Sequence, residues 1–169
     1  MPNNIYIDVT EDAEPPQWFD VQKTNAFLHA LLKTCHYDNW ELSVVFCSND
    51  FIQNLNKQYR GLDEPTDVLS FPQSEAGEPV KPAFSDSSQA SENADQTKHP
   101  FAAGDIVISF ETLHKNAECF NEPEKQELRR LLVHGVLHLA GYDHQTNEAC
   151  EPMLQLQEKI LVEVTDGDI

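Results

Sequence analysis

Three histidines near the carboxyl end restrict what this chain can fold into more than any other feature of the sequence. Residues 134–144 read HGVLHLAGYDH, so His134 and His138 are four positions apart and Gly141 precedes His144. On an α-helix, side chains at positions i and i+4 lie on the same face. Glycine readily ends a helix in a left-handed turn, which lets the chain reverse and bring His144 towards the other two rings. The run therefore predicts a helix followed by a turn, with three imidazoles close together.

Three neutral imidazoles with an open fourth position form the usual arrangement of a catalytic zinc site. A single histidine on an apolar helix is usually a packed core residue, but three in this order, with a helix-ending glycine between them, are hard to explain by packing. We interpret His134, His138 and His144 as the ligands of one Zn²⁺ per chain. The spacing H-x3-H-x2-G-x2-H also occurs in metzincin proteases, whose glutamate general base follows the first histidine. Here that position is Gly135, so the usual proton carrier of peptide hydrolysis is missing.

Length and composition favour one folded domain over residues 1–169. The formal net charge of −18 argues against broad, non-specific binding to nucleic acid, although a local basic pocket remains compatible with it. The first residues have no secretory character, and no apolar run approaches the length of a membrane span. The spacing of the four cysteines indicates no zinc knuckle. We therefore expect a cytoplasmic protein with reduced thiols and no membrane partner.

Hydrophobic periodicity predicts the element order β-α-β-α-β-β-α-α-α. The predicted strands cover residues 4–10, 41–47, 67–71 and 104–109, and the predicted helices cover 18–37, 51–59, 111–120, 121–140 and 147–164. Asn121 and the residues after it have the form of an N-terminal capping box for the histidine-bearing helix. This order predicts a single α+β (α/β-like) domain, with a four-stranded mixed sheet covered by helices and the metal site at the end of a C-terminal helix.

Residues 73–103 differ from the rest of the chain. They are rich in Ser, Pro, Glu and Asp and contain almost no side chains that could be buried. This composition predicts a polar, flexible surface insert within the domain. His99 lies near its far end, and we assign it no role.

A second informative segment covers residues 59–72 and reads YRGLDEPTDVLSFP. Taken alone, it is equally compatible with an ordinary helix–strand connection carrying a solvated Arg60. Together with 104–109 and 134–144, however, it resembles the motif blocks of the YbeY family, in that family's order. The resemblance covers most of the chain, and the long insert at 73–103 is the main departure from it.

This resemblance implies a bacterial, cytoplasmic, metal-dependent endoribonuclease that prefers single-stranded RNA. It further implies a role in rRNA processing, at the 3′ end of the 16S rRNA, and in ribosome quality control, with the ribosome or its small-subunit proteins as candidate partners. Residue by residue, the metal ligands carry over to His134, His138 and His144, and the catalytic arginine carries over to Arg60.

Several points stay open at the level of the sequence. A zinc ion could activate water or stabilise charge on a phosphate oxygen, and Arg60 is the best candidate to bind the phosphate. Asp67, Asp105 and Asp143 are undecided as supporting residues. One alternative is a metzincin-like metalloprotease or amidohydrolase. Another is a ribosome-associated binding protein with structural zinc, for which Cys150 is the nearest candidate fourth ligand. The oligomeric state is not predicted.

Overall fold

The structure is a computed structural model that describes residues 2–73, 99–164 and 169. Over these residues the chain forms its strands and helices in the predicted order: β1 (Asn4–Val9), α1 (Val21–Thr34), β2 (Trp40–Cys47), α2 (Asn49–Arg60), β3 (Val68–Pro72), β4 (Phe101–Ser109), α3 (Phe110–Phe120), α4 (Glu124–Leu139) and α5 (Pro152–Glu163). The predicted α+β domain with a four-stranded mixed sheet is confirmed. None of the helices within those ranges is both long and apolar enough to cross a membrane.

The order of the strands in the sheet is β1-β2-β4-β3, which makes β3 an edge strand. β1, β2 and β4 run parallel, whereas β3 runs antiparallel to β4. Asp67 accepts a backbone hydrogen bond from Ser109 (3.1 Å), and Gln73 donates one to Ala103 (3.1 Å). In an antiparallel pair, such bonding positions alternate along the strand. Ser70 lies at the alternate position, so its backbone groups point away from β4 towards the outer edge of β3, on which no other strand of the described residues pairs. We call this the free edge of β3.

The start of β4 corrects the predicted bounds of the insert. Residues 101–103 were assigned to the insert but belong to β4, which begins at Phe101. The register shifts at this point, and Gly104 has a φ of 131°. A Cβ on Gly104 would collide with the backbone of Phe71, so only glycine fits where β3 and β4 approach here. Positions 74–98, most of the predicted insert, lie outside the described residues.

The main core lies on one face of the sheet, against α1, α4 and α5. Its strand residues include Leu42, Val44 and Phe46 from β2 and Ile106 and Ile108 from β4, all of them almost completely buried. A smaller cluster on the opposite face lies under α2. Every second residue of these strand segments packs into the main core. This alternation is typical of a half-buried strand, so the strands could be predicted from the sequence.

Gly135 allows α4 to lie close to β4. A Cβ at this position would be 2.8 Å from Cδ1 and 2.9 Å from Cγ2 of Ile106, distances that real Cβ atoms essentially never show. Gly135 is buried and faces Ile106 of the sheet, whereas the neighbouring His134 lines a cleft. A glutamate in place of Gly135 would therefore point into the core, so packing explains why the protease base is absent.

In the second half of the chain, two helix starts differ from the prediction by three residues or more. The capping box proposed at Asn121 was wrong, because Asn121 instead ends α3 in a left-handed conformation (φ 52°, ψ 46°). The N-cap of α4 is Pro123, which makes no side-chain capping bond. The last helix begins at Pro152 rather than at 147, so the segment after His144 remains non-helical for longer than predicted.

Candidate metal centre and its cleft

The end of α4 is built as the sequence predicts. His138 lies in its last turn, and Gly141 follows with a φ of 100°. The Gly141 N–H donates to the His138 carbonyl (3.0 Å), and the Tyr142 N–H donates to the Leu137 carbonyl (3.0 Å). These two bonds close the helix as a glycine-containing cap does. The chain then turns back and carries His144 towards the helix.

The three predicted ligands come together. One ligand atom from each of His134, His138 and His144 lies within 4.8 Å of the other two, and no other such group occurs in the described parts of the chain. The Nε2 atoms of His134 and His138 are 3.0 Å apart. Zinc–nitrogen bonds of about 2.0–2.1 Å in a tetrahedral site separate two ligand nitrogens by roughly 3.3 Å. The observed spacing therefore suits a metal ion after a small movement of the rings.

Hydrogen bonds orient two of these rings from behind. Nδ1 of His134 is 2.8 Å from Oε1 of Gln157, and Nδ1 of His144 is 2.8 Å from the carbonyl oxygen of Thr146. Both partners are acceptors, so each Nδ1 carries the hydrogen and each Nε2 keeps its lone pair for a metal. Gln157 lies on α5 and is only 4% exposed. Sequence reasoning missed Gln157, because nothing in its local sequence connects α5 with His134.

Burial favours the neutral form of His134 and His138. Burial is the largest of the causes that lower the pKa of His138 to about 4, and the nearby rings of His134 and His144 act in the same direction. Burial likewise lowers the pKa of His134, although the hydrogen bond with Gln157 acts in the opposite direction. Neutral imidazole is the form that binds metal, so at neutral pH these two rings need not lose a proton first.

The three histidines line a cavity of about 940 Å³, which we call the histidine cleft. Its lining comes from β3, from the ends of α2 and α3, and from α4, α5 and the loop between them: Arg60, Thr66, Asp67, Val68, Leu69, Ser70, Asn116, Phe120, Glu122, Glu127, Arg130, Leu131, His134, His138, Asp143, His144, Asn147 and Gln157. Its size is at the upper end of the usual range for small-ligand pockets.

Arg60 is the last residue of α2, and Gly61 follows it in the left-handed conformation (φ 72°) that ends the helix. The side chain of Arg60 is exposed and lines the histidine cleft. Across residues 2–73, 99–164 and 169, no hydrogen bond or ion pair involves this guanidinium. The structure therefore places Arg60 in the same cleft as the three histidines, with its donors available to an anion.

A buried carboxylate lies in the cleft on the same helix as the histidines. Glu127 is 2% exposed, and its carboxylate is 3.1 Å from Arg130 Nη1. Burial raises the pKa of Glu127, whereas the charge of Arg130 lowers it. Arg130 also pairs with Glu122 (2.7 Å) and Glu158 (3.4 Å). The spacing of seven between Glu127 and His134 was a helical signal that sequence reasoning could have used.

The three undecided aspartates have different surroundings. Asp67 lines the cleft and accepts hydrogen bonds from the Val68 N–H (2.8 Å) and from Asn116 Nδ2 (3.0 Å). Asp143 also lines the cleft, but its carboxylate accepts from the backbone N–H of His144 (2.8 Å), which fixes the loop rather than a ring. Asp105 is hydrogen-bonded to Ser43 across β2 and β4 and does not line the cleft.

Cys150 is not brought to the metal centre. Its thiol is exposed and is 3.6 Å from a carboxylate oxygen of Glu148. Within the described segments, the donor group therefore consists of three imidazoles without a thiolate. That donor set fits the zinc ion of a catalytic site, which keeps one position for water or substrate.

Comparisons with known proteins agree with one another. The family model described as endoribonuclease YbeY matches residues 10–165. A Treponema denticola protein named endoribonuclease YbeY is 42% identical over 169 residues, which are 100% of this chain and 98% of that relative. A Brevibacillus brevis protein of the same name is 44% identical over 124 residues, 73% of this chain and 74% of the relative.

A solved structure leads to the same grouping. The solution structure of a Thermotoga maritima protein superposes with a TM-score of 0.57 at 28% identity, covering 95% of this chain and 88% of that one. The fold is therefore shared with a solved structure whose sequence is similar along nearly the whole length of this chain. On this evidence, the chain belongs to the YbeY endoribonuclease family.

Proposed function

We propose that this protein is a zinc-dependent endoribonuclease that cleaves single-stranded RNA in the cytoplasm. Within that activity we propose a role in processing the 3′ end of 16S rRNA and in ribosome quality control, with rRNA and the small ribosomal subunit as its partners. The observation that carries the proposal is the convergence of three imidazoles in a cleft that also contains Arg60. The names of its relatives support the choice of RNA as the substrate.

His134, His138 and His144 would hold the zinc ion, and Gln157 and the Thr146 carbonyl would keep two of the rings in the ligating tautomer. When bound, zinc lowers the pKa of water to about 7 and stabilises negative charge on a phosphate oxygen. The chain supplies the rest of the site. The cleft would orient the RNA strand. Burial lowers the pKa of His134 and His138, so their rings would stay neutral and available to the metal ion.

Arg60 would bind the phosphate whose ester bond is cleaved. Its guanidinium is always charged and can donate two parallel hydrogen bonds to phosphate oxygens, and none of its described neighbours occupies it. Charge on the phosphate grows in the transition state, so the contact should strengthen there. Loss of one such contact costs on the order of 2–4 kcal/mol, or roughly 30- to 1000-fold in rate. We therefore expect Arg60→Ala to keep its zinc and to lose most of its cleavage rate.

The test measures zinc content and cleavage of a short single-stranded RNA for the parent and for three variants. We expect the parent to contain about one zinc per chain, and His138→Ala to lose zinc and cleavage together. His29→Ala, a change at an exposed histidine on α1, is the matched control and should change neither property. If a His134→Ala/His138→Ala protein cleaved RNA as fast as the parent, the proposed mechanism would be wrong.

A peptide hydrolase is the second candidate, and the free edge of β3 favours it. An extended peptide can add to an exposed strand edge through main-chain hydrogen bonds, and β3 lines the cleft beside the histidines. Gly135 opposes it, since that position faces Ile106 and cannot present a base to the metal centre. Assays of a peptide library and of single-stranded RNA at equal zinc content separate the two. Peptide cleavage without RNA cleavage would reverse our ranking.

A further inference from the structure

Phe120 is an unusually exposed aromatic residue inside the cleft. It is 65% exposed and is the last residue of α3. The exposed large hydrophobic residues of the described chain are Tyr6, Val21, Phe51, Tyr59, Leu62, Phe120 and Val162. Of these, Phe120 alone lines the histidine cleft. A large apolar side chain that solvent reaches inside a polar cleft is a candidate contact for a ligand with an apolar face.

The backbone around Phe120 is held in place. The N–H of Asn121 donates to the Glu118 carbonyl (3.2 Å), and the N–H of Glu122 donates to the Ala117 carbonyl (3.0 Å). These bonds close the end of α3 as a helix cap. The position of the ring in the cleft is therefore set by a helix end rather than by a free loop, which lowers the entropy lost when a ligand contacts it.

Charge in the cleft is poorly suited to binding a strand through its phosphates alone. The lining contains two permanently charged cations, Arg60 and Arg130. Arg130 is paired with Glu122, Glu127 and Glu158, which neutralise it. Only Arg60 then remains for phosphate among the lining residues, on a chain whose net charge is −18. Apart from the metal ion that the histidines would hold, the cleft therefore offers one cation to the phosphates, and contacts to the bases would add to the affinity for a strand.

The edge of β3 adds hydrogen-bonding groups to the same cleft. Ser70 lines it, and although its hydroxyl is not exposed to solvent and makes no hydrogen bond with the described residues, its main chain lies at the strand edge. The backbone groups of Ser70 point to the free edge of β3, as the bonds of Asp67 and Gln73 to β4 show. Unpaired bases are recognised by stacking on aromatic rings together with hydrogen bonds to their edges. The cleft offers both kinds of contact, and a base stacked inside a duplex could not place its face on the ring.

We propose that Phe120 is a stacking platform for an unpaired base of the RNA strand, and that the main-chain groups at Ser70, on the outer edge of β3, supply polar contacts to the same strand. This inference rests on the proposed ribonuclease function and deepens it. Phe120 precedes the start of α4, whereas His134 is ten residues beyond Glu124, or roughly 15 Å along the helix axis. The stacked base therefore belongs to a nucleotide at some distance from the cleaved bond, and it selects strands that are single-stranded there.

The experiment uses the zinc-loaded full-length protein and a short single-stranded RNA. Single-turnover cleavage at increasing protein concentration gives a half-saturating concentration and a maximal rate. Phe120→Leu keeps the apolar bulk without the ring face, and Phe120→Trp restores a stacking face. Phe51→Leu, a change at an exposed aromatic on α2 outside the cleft, is the matched control. Substrates with one abasic nucleotide at each successive position show which base is stacked.

We expect Phe120→Leu to raise the half-saturating concentration roughly 10-fold with little change in maximal rate, since stacking stabilises binding of the base rather than the reacting phosphate. Phe120→Trp and Phe51→Leu should resemble the parent. An abasic nucleotide at one position should weaken binding to the parent by a similar factor and should not weaken binding to Phe120→Leu any further.

The outcomes separate this inference from the function on which it rests. If zinc-loaded parent protein fails to cleave single-stranded RNA, the proposed function is wrong and the stacking site with it. If the parent cleaves but Phe120→Leu has the parent's half-saturating concentration, only the stacking site is wrong. The stacking site is also wrong if, at every position, an abasic nucleotide weakens binding to Phe120→Leu as much as it weakens binding to the parent.

Discussion

Gln157 orients one imidazole of the metal centre from a helix other than the one that carries that imidazole. Its Oε1 lies 2.8 Å from Nδ1 of His134, and the side chain is buried. Partners of this kind usually change metal affinity by 10- to 100-fold. We expect Gln157→Leu to bind zinc about 10- to 100-fold more weakly, as measured by competition with a chromophoric chelator. Gln155→Leu, an exposed position on the same helix, is the control, and an unchanged affinity in Gln157→Leu would contradict the role.

Gly135 is the residue whose replacement most directly tests the packing of α4 on the sheet. Alanine is the better helix former by about 0.5–1 kcal/mol, but a Cβ here would be 2.8 Å from Ile106 Cδ1. Overpacking of this kind costs typically about 1–3 kcal/mol. We expect Gly135→Ala to lower the free energy of unfolding by about 1 kcal/mol in urea denaturation. Ile106→Val removes Cδ1, so Gly135→Ala should cost less stability in an Ile106→Val protein than in the parent. A Gly135→Ala protein more stable than the parent would show that α4 and β4 are not in close contact at this point.

The residues of the site differ in how far sequence could predict them. His134, His138 and His144 could be predicted because helical spacing and a helix-ending glycine are local signals. The role of Gln157 could not be predicted, because its contact with His134 depends on how α5 packs against α4, and no local sequence pattern encodes that packing. Gly135 was noticed for what it lacks. Its packing against Ile106 could not be predicted, because that contact depends on how α4 is aligned along β4.

At the scale of elements, the junction between α3 and α4 depends on ionised side chains. Glu124, at the first position of α4, contacts His114 of α3 and the indole N–H of Trp18, and His114 is also 3.4 Å from Glu118. The hydrogen bond with Glu124 is the main cause that raises the pKa of His114 above its ordinary value of 6.5, and the charges of Glu118 and Glu124 add to it. A charged ring therefore stabilises this junction.

The pH dependence of this stabilisation has a definite sign. Because the pKa of His114 is higher in the folded state, the stabilisation is complete below 6.5 and is lost as the pH rises through the folded-state value. We expect His114→Asn to be less stable than the parent at pH 5.5 and nearly equal to it at pH 9. Chemical denaturation at both pH values measures the difference, and NMR titration of the ring gives its pKa directly. An equal difference at both pH values would contradict the assignment.

The order of elements could be read from the sequence, but some of their ends could not. Asn121 fits either the end of one helix or the start of the next, because asparagine serves both as an N-cap and in the left-handed conformation. Only the packing of α3 against α4 decides between them. Likewise, residues 101–103 looked like part of a polar insert because the bulge at Gly104 interrupts the strand pattern.

For the whole molecule, the small number of unpaired cations in the cleft of a chain with net charge −18 predicts that RNA binding responds weakly to salt. Each phosphate contact on a single strand contributes a slope of about −0.7 to log K against log salt. Since Arg60 is the cleft arginine without a carboxylate partner in the described structure, we expect a slope of only about −1 to −2. Arg60→Ala should make it shallower by about 0.7. Binding titrations between 50 and 300 mM KCl measure both slopes, and a steep slope would show that cations outside the cleft bind the strand.

In the proposed site, the metal ion would join the end of α4 to the exposed loop that follows it. Between α4 and α5, residues 140–151 contain turns and bends but no helix or strand, and most of them are exposed. His144 lies in this segment, so a bound ion ties an otherwise weakly protected stretch to the end of a buried helix. Loss of the ion would leave that stretch free to open and accessible to proteases. Metal supply would then govern the lifetime of the protein in the cell as well as its activity, because molecules without metal would be degraded first.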